Sequence, residues 1–321
     1  MTTPHSKKME TFGNIADPKT LSIAFQRVKE NRGCAGVDGV TIERFEDELD
    51  ENLALLGMEI ERNIYRPLPL LKILVDKGNG EARALCIPAV RDRVAQASVL
   101  QVVEPVFEAE FEQCSFAYRK GRSVKQAVYQ IKEYREKGYS WIVDADIDEF
   151  FASIDHGLLL DRVNRLLKDA GILKLIEMWI QAEVWDGQAI TQLTRGIPQG
   201  SVISPILANL FLDHLDEELL TKGFKLVRYA DDFIILCKSP EKAREALGVT
   251  EEILDKLSLE LDEADIVSFD QGFKYLGVCF VRSMIFVPFD KPKKEHKVLY
   301  MPPPLDLSLY RWERKRQRED G

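Results

Sequence analysis

Apolar positions along this chain recur with two periods, and the alternation between them lays out the elements. From Pro18 to Leu56, from Arg91 to Glu112 and from Ser123 to Lys137 they return every three to four residues, the spacing of amphipathic helices, with GCAGVDG (Gly33 to Gly39) breaking the first stretch. LLKILVDKGNGEARALCIP, Leu70 to Pro88, predicts a hairpin of two apolar strands around a Gly78-Asn79-Gly80 turn. WIVDADIDEFF, Trp141 to Phe151, reads as a strand with Asp at 144, 146 and 148, which a regular strand turns to one face. A helix capped by Asp155 follows, and Ser204-Pro205 opens another that buries Leu207, Leu210, Phe211 and Leu215. RYADDFIILC, Arg228 to Cys237, predicts a second hairpin with two carboxylates at its turn. A helix from Pro240 to Leu257 and a strand pair from Lys274 to Phe289 come next, then an extended MPPPLDLSLY and a charged RWERKRQRED. Both hairpins imply antiparallel pairing, so the expected class is α+β rather than doubly wound.

With 321 residues and 45% hydrophobic content the chain can bury a substantial core. No run of about 18 apolar residues occurs, and the opening MTTPHSKKMETFGN lacks a secretory h-region, so the expectation is a cytoplasmic protein without membrane contact. Cys34, Cys86, Cys114, Cys237 and Cys279 are scattered without a CxxC pair, as expected of reduced thiols. The net charge of -9 argues against a phosphate binder until its distribution is considered. Ser204 to Asp270 holds 16 acidic residues against 7 basic ones, whereas Arg62 to Arg93 holds 7 basic against 3 acidic. One region is suited to cations and another to phosphate, although solvated helix faces give a similar count.

Asp231-Asp232 has two readings: an ordinary turn, which Asp favours, or a pair of cation ligands fixed by strand geometry. The D-x-D-x-D of WIVDADIDEFF suggests a calcium loop, but the Gly and Glu such a loop needs at its sixth and twelfth positions are Glu149 and Asp155 here. The alternative is a two-metal site in which one carboxylate of this strand joins the Asp pair, its ions roughly 3.5 to 4 Å apart.

YADD (Tyr229 to Asp232), DIDEFF (Asp146 to Phe151) and GIPQGSVISPILANLFL (Gly196 to Leu212) together resemble the palm of bacterial reverse transcriptases of the group II intron-like lineage. ARALCIPAVRDRVAQ (Ala82 to Gln96), AYRKGRS (Ala117 to Ser123), GVDG (Gly36 to Gly39) and KYLG (Lys274 to Gly277) are similar to that lineage's other blocks, in the same order. The resemblance implies a right-hand polymerase fold with fingers and palm and a thumb short or absent. It divides the chain into an N-terminal extension (1–30), fingers (31–128), a palm with an antiparallel sheet (129–285) and a linker-like tail or truncated thumb (286–321).

The same resemblance implies an RNA-directed DNA polymerase that adds dNTPs to a primer on an RNA template. Asp146, Asp231, Asp232 and the Ile147 carbonyl would hold two Mg2+ ions, for which Mn2+ substitutes. Lys77 and Arg83 would grip the incoming triphosphate, an ammonium and a guanidinium being suited to phosphate oxygens. Phe151 would act as a gate against a ribose 2′ hydroxyl, and Gln199 and Gly200 would contact nucleotide and template. Arg119, Lys120 and Arg122 would meet backbone phosphates, with a solvated turn as the competing reading. Asp265 stands where the lineage usually carries a lysine. About 40 residues follow KYLG and no His/Cys-rich endonuclease is among them. Those features and GYSWIVDADIDEFF are most similar to the CRISPR-associated branch, which implies the spacer-acquisition integrase complex as partner. A defence-type or intron-derived reverse transcriptase and a catalytically silent palm-fold nucleic-acid-binding protein are the alternatives, with a nucleotidyl cyclase and an RNA-synthesising polymerase further off.

Overall fold

Asp17 accepts hydrogen bonds from the amides of Lys19 and Thr20, and Pro18 fills the first turn, so helix α1 (Pro18–Glu30) starts there. The structure is a computed structural model that describes residues 14–76, 81–286, 297–308 and 310. After α1 come α2 (Ile42–Asp47), α3 (Leu49–Glu61), β1 (Leu70–Asp76), β2 (Ala82–Ile87), α4 (Val90–Glu108) and α5 (Val124–Glu136). β3 (Trp141–Ile147), α6 (Phe150–Ser153), α7 (His156–Leu167), α8 (Ala170–Ile180), β4 (Glu183–Trp185), β5 (Ile190–Gln192) and α9 (Ser204–Thr221) follow. The chain continues through β6 (Lys225–Tyr229), β7 (Asp232–Cys237), α10 (Pro240–Lys256), β8 (Leu261–Ser268), β9 (Phe273–Tyr275), β10 (Val278–Val281), β11 (Met284–Phe286) and β12 (Val298–Tyr300). Helices and largely antiparallel sheets make this an α+β fold, as the hairpins predict.

Two compact units divide the chain, and both are discontinuous: residues 1–105, 164–204 and 295–321 form one, and 106–163 with 205–294 the other. The expected succession of fingers, palm and tail is therefore not how the contacts partition. Residues 106–128, expected with the fingers, belong to the second unit because Phe116 and Ala127 are buried with Ile142, Val227 and Ile234.

The first unit is built on a five-stranded sheet in which β1 pairs with β2 and β12 antiparallel and with β4 parallel. A buried polar chain runs through its helices: the Trp179 indole donates to the Tyr65 hydroxyl at 3.1 Å, and that hydroxyl donates to Asp92 at 2.8 Å. Residues 297–308 of the expected linker are docked in this unit instead. β12 extends the sheet, the Leu305 amide donates to the Val37 carbonyl, and the Trp185 indole donates to the Pro303 carbonyl, which an extended proline run leaves available.

The second unit carries the antiparallel sheet β6-β7-β3-β8 and the three-stranded sheet β11-β10-β9. On one face of the larger sheet, Ile142, Val227, Ile234 and Leu236 pack with Ile131, Tyr275 and Phe280. Positions two residues further on from Ile142, and two back from Ile234, are carboxylates. One face thus passes from hydrocarbon to negative charge along the strands.

Candidate active site

Phe233 to Leu236 are almost completely buried, as are Leu226 and Val227, so hydrophobic burial anchors the β6-β7 hairpin and leaves its tip to carry charge. Tyr229 pairs with Asp232, which makes Ala230 and Asp231 a two-residue loop. Ala230 has φ +65°, a left-handed conformation that an alanine adopts only when its surroundings enforce it. The two readings of Asp231-Asp232 converge, because the segment is a turn and its carboxylates stand at the end of a rigid strand pair.

Ala145 pairs with Phe233, so one step along the same ladder brings Asp146 beside Asp232. Asp144 lies on that face too, opposite Ile234 on one side and Asp265 on the other. Asp148, expected to share the face, lies beyond the strand. The β3-β8 register shifts between Ala145 and Ile147, the strand ends at Ile147, and the chain turns through Glu149 at φ +37°.

Burial pushes the Asp232 carboxyl up to about 7, and the neighbouring charges of Asp144, Asp146 and Asp231 add to it. Asp144 is raised to about 6 by burial, then by Asp265 and Asp146. Asp146 is also raised, by burial and then by Asp231, against the opposing hydrogen bond that its carboxylate accepts from the Ile147 amide at 3.0 Å. Among the described residues no three His, Cys, Asp or Glu side chains are gathered closely enough to hold a metal ion as they stand. The donor set nevertheless fits a hard divalent cation: oxygen ligands, partly desolvated, whose mutual repulsion a cation relieves.

Phe150 and Phe151 divide two roles. Phe150 is buried against Phe211 and takes the place of the core aromatic, whereas the Phe151 ring, edge-on to Phe150 at 5.5 Å, stays half-buried and available to a ligand. Arg119 is not placed for phosphate. Its guanidinium is paired with both oxygens of Glu108 and donates to the carbonyls of Phe111, Glu112 and Ser115, leaving the residue 8% exposed. Lys120 is exposed, and Arg122 is half-buried over the Phe116 ring with a hydrogen bond to Gln113.

In the first unit Arg83 is exposed on β2 opposite Val75, and Lys77 lies outside the described residues. The Gln199 carbonyl accepts from the Cys86 amide at 2.7 Å, and Gly200, at φ +106°, comes so close to β2 that a Cβ would meet the Cys86 carbonyl at 3.0 Å. Gln96 holds the other side of the loop, its side-chain oxygen accepting from the Ser201 hydroxyl and the Val202 amide. Sequence reasoning placed Asp144 on the face by alternation without giving it a role, and gave none to Gln96, Arg228 or Tyr275. Of the last three, Arg228 gave a signal, as a charge inside an otherwise apolar strand.

A family model described as reverse transcriptase (RNA-dependent DNA polymerase) matches residues 75–280, which enclose the candidate site residues. The chain belongs to the reverse transcriptase family. This reverse transcriptase is 30% identical to Protein YkfC of Escherichia coli (strain K12), over 84% of this chain and 82% of that protein. It is also 30% identical to the group II intron-encoded protein LtrA of Lactococcus lactis subsp. cremoris, over 68% of this chain but 36% of the longer relative. A telomerase structure from Candida albicans, determined in complex with a fragment of telomeric RNA, aligns over 78% of this chain and 50% of that one. The TM-score is 0.56 at 13% identity, a likeness of fold. Among the described residues no helix is long and apolar enough to cross a membrane.

Proposed function

We propose that this reverse transcriptase extends a primer 3′ end with deoxynucleotides on an RNA template, and that Asp146, Asp231 and Asp232 are its catalytic carboxylates. The observation that carries the reading is their convergence at one end of the β6-β7-β3-β8 sheet, within the matched family segment, with Asp146 raised in pKa by burial and Asp231, and Asp232 by burial and its carboxylate neighbours. These three side chains, with the Ile147 carbonyl, would hold two Mg2+ ions or Mn2+ in their place. When bound, such ions favour the ionised primer hydroxyl and neutralise charge on the triphosphate.

The other candidate residues have separate tasks. Phe151 excludes a 2′ hydroxyl by bulk, and the backbone-pinned Gln199-Gly200 loop presents a fixed edge to the nucleotide. Lys77 and Arg83 of the β1-β2 hairpin neutralise phosphate, and Lys120 and Arg122 meet the nucleic-acid backbone. Arg119 is left out of that set because its donors are already committed to Glu108 and three carbonyls. We assign the fingers role to the unit carrying the β1-β2 hairpin and the palm role to the unit carrying the carboxylates.

The cellular setting we infer is the cytoplasm, where the enzyme supplies DNA copies of RNA to a CRISPR spacer-acquisition integrase. Support for this comes from GYSWIVDADIDEFF and the block order; the likeness to LtrA supports an intron-derived origin of the same chemistry. Primer extension on an RNA template tests the core of the reading. Template-length DNA made from dNTPs, lost with EDTA or with Asp231→Asn, is the expected result. Extension that survives Asp231→Asn rejects the site. Repeating the assay with and without the integrase, and scoring joined products, tests the partner.

A further inference from the structure

Arg228 is a guanidinium with no solvent exposure, and a charge is buried in this way only where partners compensate it. Its Nε and one terminal nitrogen donate to the two oxygens of Asp216 on α9 at 2.8 and 2.5 Å, and its other terminal nitrogen donates to Asn209 Oδ1 at 3.1 Å. That last nitrogen also donates to the carbonyl of Ala230 at 2.9 Å, the left-handed residue of the turn that carries Asp231. Its own backbone is tied down as well: the Arg228 amide donates to Cys114, and the Phe116 amide donates to the Arg228 carbonyl. Arg228 pairs across the hairpin with Phe233, so it approaches the turn from the sheet face opposite Asp232.

A second buried group acts on the carboxylate side. Tyr275, 2% exposed, places its hydroxyl 3.1 Å from the Val227 carbonyl and 3.0 Å from the Asp232 carbonyl, so one proton is shared between the two strands of the hairpin.

We propose that Arg228 and Tyr275 are positioning residues that clamp the catalytic turn from its two faces and set where the Asp231 and Asp232 carboxylates stand. This rests on the catalytic reading of those two residues. A planar fork is needed at 228 because the anchor and the turn carbonyl lie in different directions from one side chain, which an ammonium cannot serve together. A hydroxyl is needed at 275 because a phenyl ring fills the same space but leaves the turn free to shift.

Tyr275→Phe is the deciding variant, since it keeps the buried ring and removes one oxygen. The full-length chain would be compared with Tyr275→Phe, Arg228→Lys and Asp231→Asn by primer extension, thermal melting and Mn2+ binding followed by electron paramagnetic resonance of the free ion. For Tyr275→Phe we expect kcat to fall roughly tenfold to a hundredfold, with KM for dNTP within twofold. Its half-saturating Mn2+ should rise severalfold and its chain remain folded. Arg228→Lys gives the same signature in its folded fraction, and if it does not fold, Tyr275→Phe decides. A Tyr275→Phe enzyme whose kcat and Mn2+ midpoint both match wild type overturns the clamp. So does a loss that only tracks the folded fraction. Asp231→Asn separates the two levels: if it retains activity, the catalytic reading fails first, whatever Tyr275→Phe does.

Discussion

Two adjacent phenylalanines show how little of a residue's role lies in its identity. Phe150 is 2% exposed and packed on Phe211, so Phe150→Ala leaves a cavity and should cost about 3 to 5 kcal/mol in denaturant unfolding with no change in sugar selectivity of the folded enzyme. Phe151→Ala removes a half-buried ring and should leave stability nearly intact. It should instead lower the preference for dNTP over NTP, measured as the ratio of kcat/KM values, by roughly 10- to 200-fold. The reverse pairing of effects would assign the gate to the wrong ring. A similar contrast separates the arginines of AYRKGRS. Arg119→Ala strands three carbonyls and the Glu108 carboxylate, an expected loss of about 1 to 3 kcal/mol in unfolding with template affinity unchanged in its salt dependence. Arg122→Ala should do the opposite, weakening RNA binding and flattening the plot of log affinity against log salt by roughly one phosphate contact.

Elements explain why some of this was legible before any coordinates and some was not. Hairpins announce themselves locally: apolar runs on either side of Gly78-Asn79-Gly80 or Ala230-Asp231 specify their own partners, and β1-β2 and β6-β7 pair as expected. Pairings between distant segments carry no such mark. Leu70 pairs with Val184 and the C-terminal β12 pairs with β1, so the discontinuous units were invisible in a left-to-right reading. The alternation of Asp144, Asp146 and Asp148 covers only its first two members because β3 ends at Ile147, an end that the sequence pattern does not mark. Arg119 read as a surface cation because Glu108, which claims it, lies at the end of another helix. Glycines show the same dependence on neighbours. Gly200→Ala adds strain at φ +106° and presses a methyl onto the Cys86 carbonyl, so it should shift the Gln199 loop and raise KM for dNTP severalfold. Gly121→Ala, at φ +74° with nothing within 4 Å, should cost about 1 to 2 kcal/mol and leave KM alone. Steady-state kinetics of the two variants, run side by side, check this.

Across the described residues, buried carboxylates turn stability into a function of pH and of metal. Asp92 and Asp144 are raised to about 6, and Asp213 and Asp232 to about 7, mainly by burial in each case. A carboxyl raised by folding binds its proton more tightly in the native state than in the unfolded chain. Its stabilising contribution is complete below about pH 4 and is lost as the pH climbs through 6 and 7. Metal-free protein should therefore melt at progressively lower temperature from pH 5 to pH 8. On the proposed reading Mg2+ binds the ionised form of Asp232, so it should reverse the loss at pH 8, where no proton competes, yet do little at pH 5. At a tenfold excess over Kd the gain is about 1.4 kcal/mol, a few degrees in Tm. Asp232→Asn makes the argument specific. It removes one of the repelling charges, so in EDTA at pH 8 the variant should melt above wild type, while its own response to Mg2+ disappears together with its polymerase activity. Calorimetric melts of both proteins, with Mg2+ and with EDTA, check the sign at each pH. An Asp232→Asn chain less stable than wild type in EDTA would mean that the carboxylates hold the hairpin together, and not that the hairpin holds them against their own repulsion.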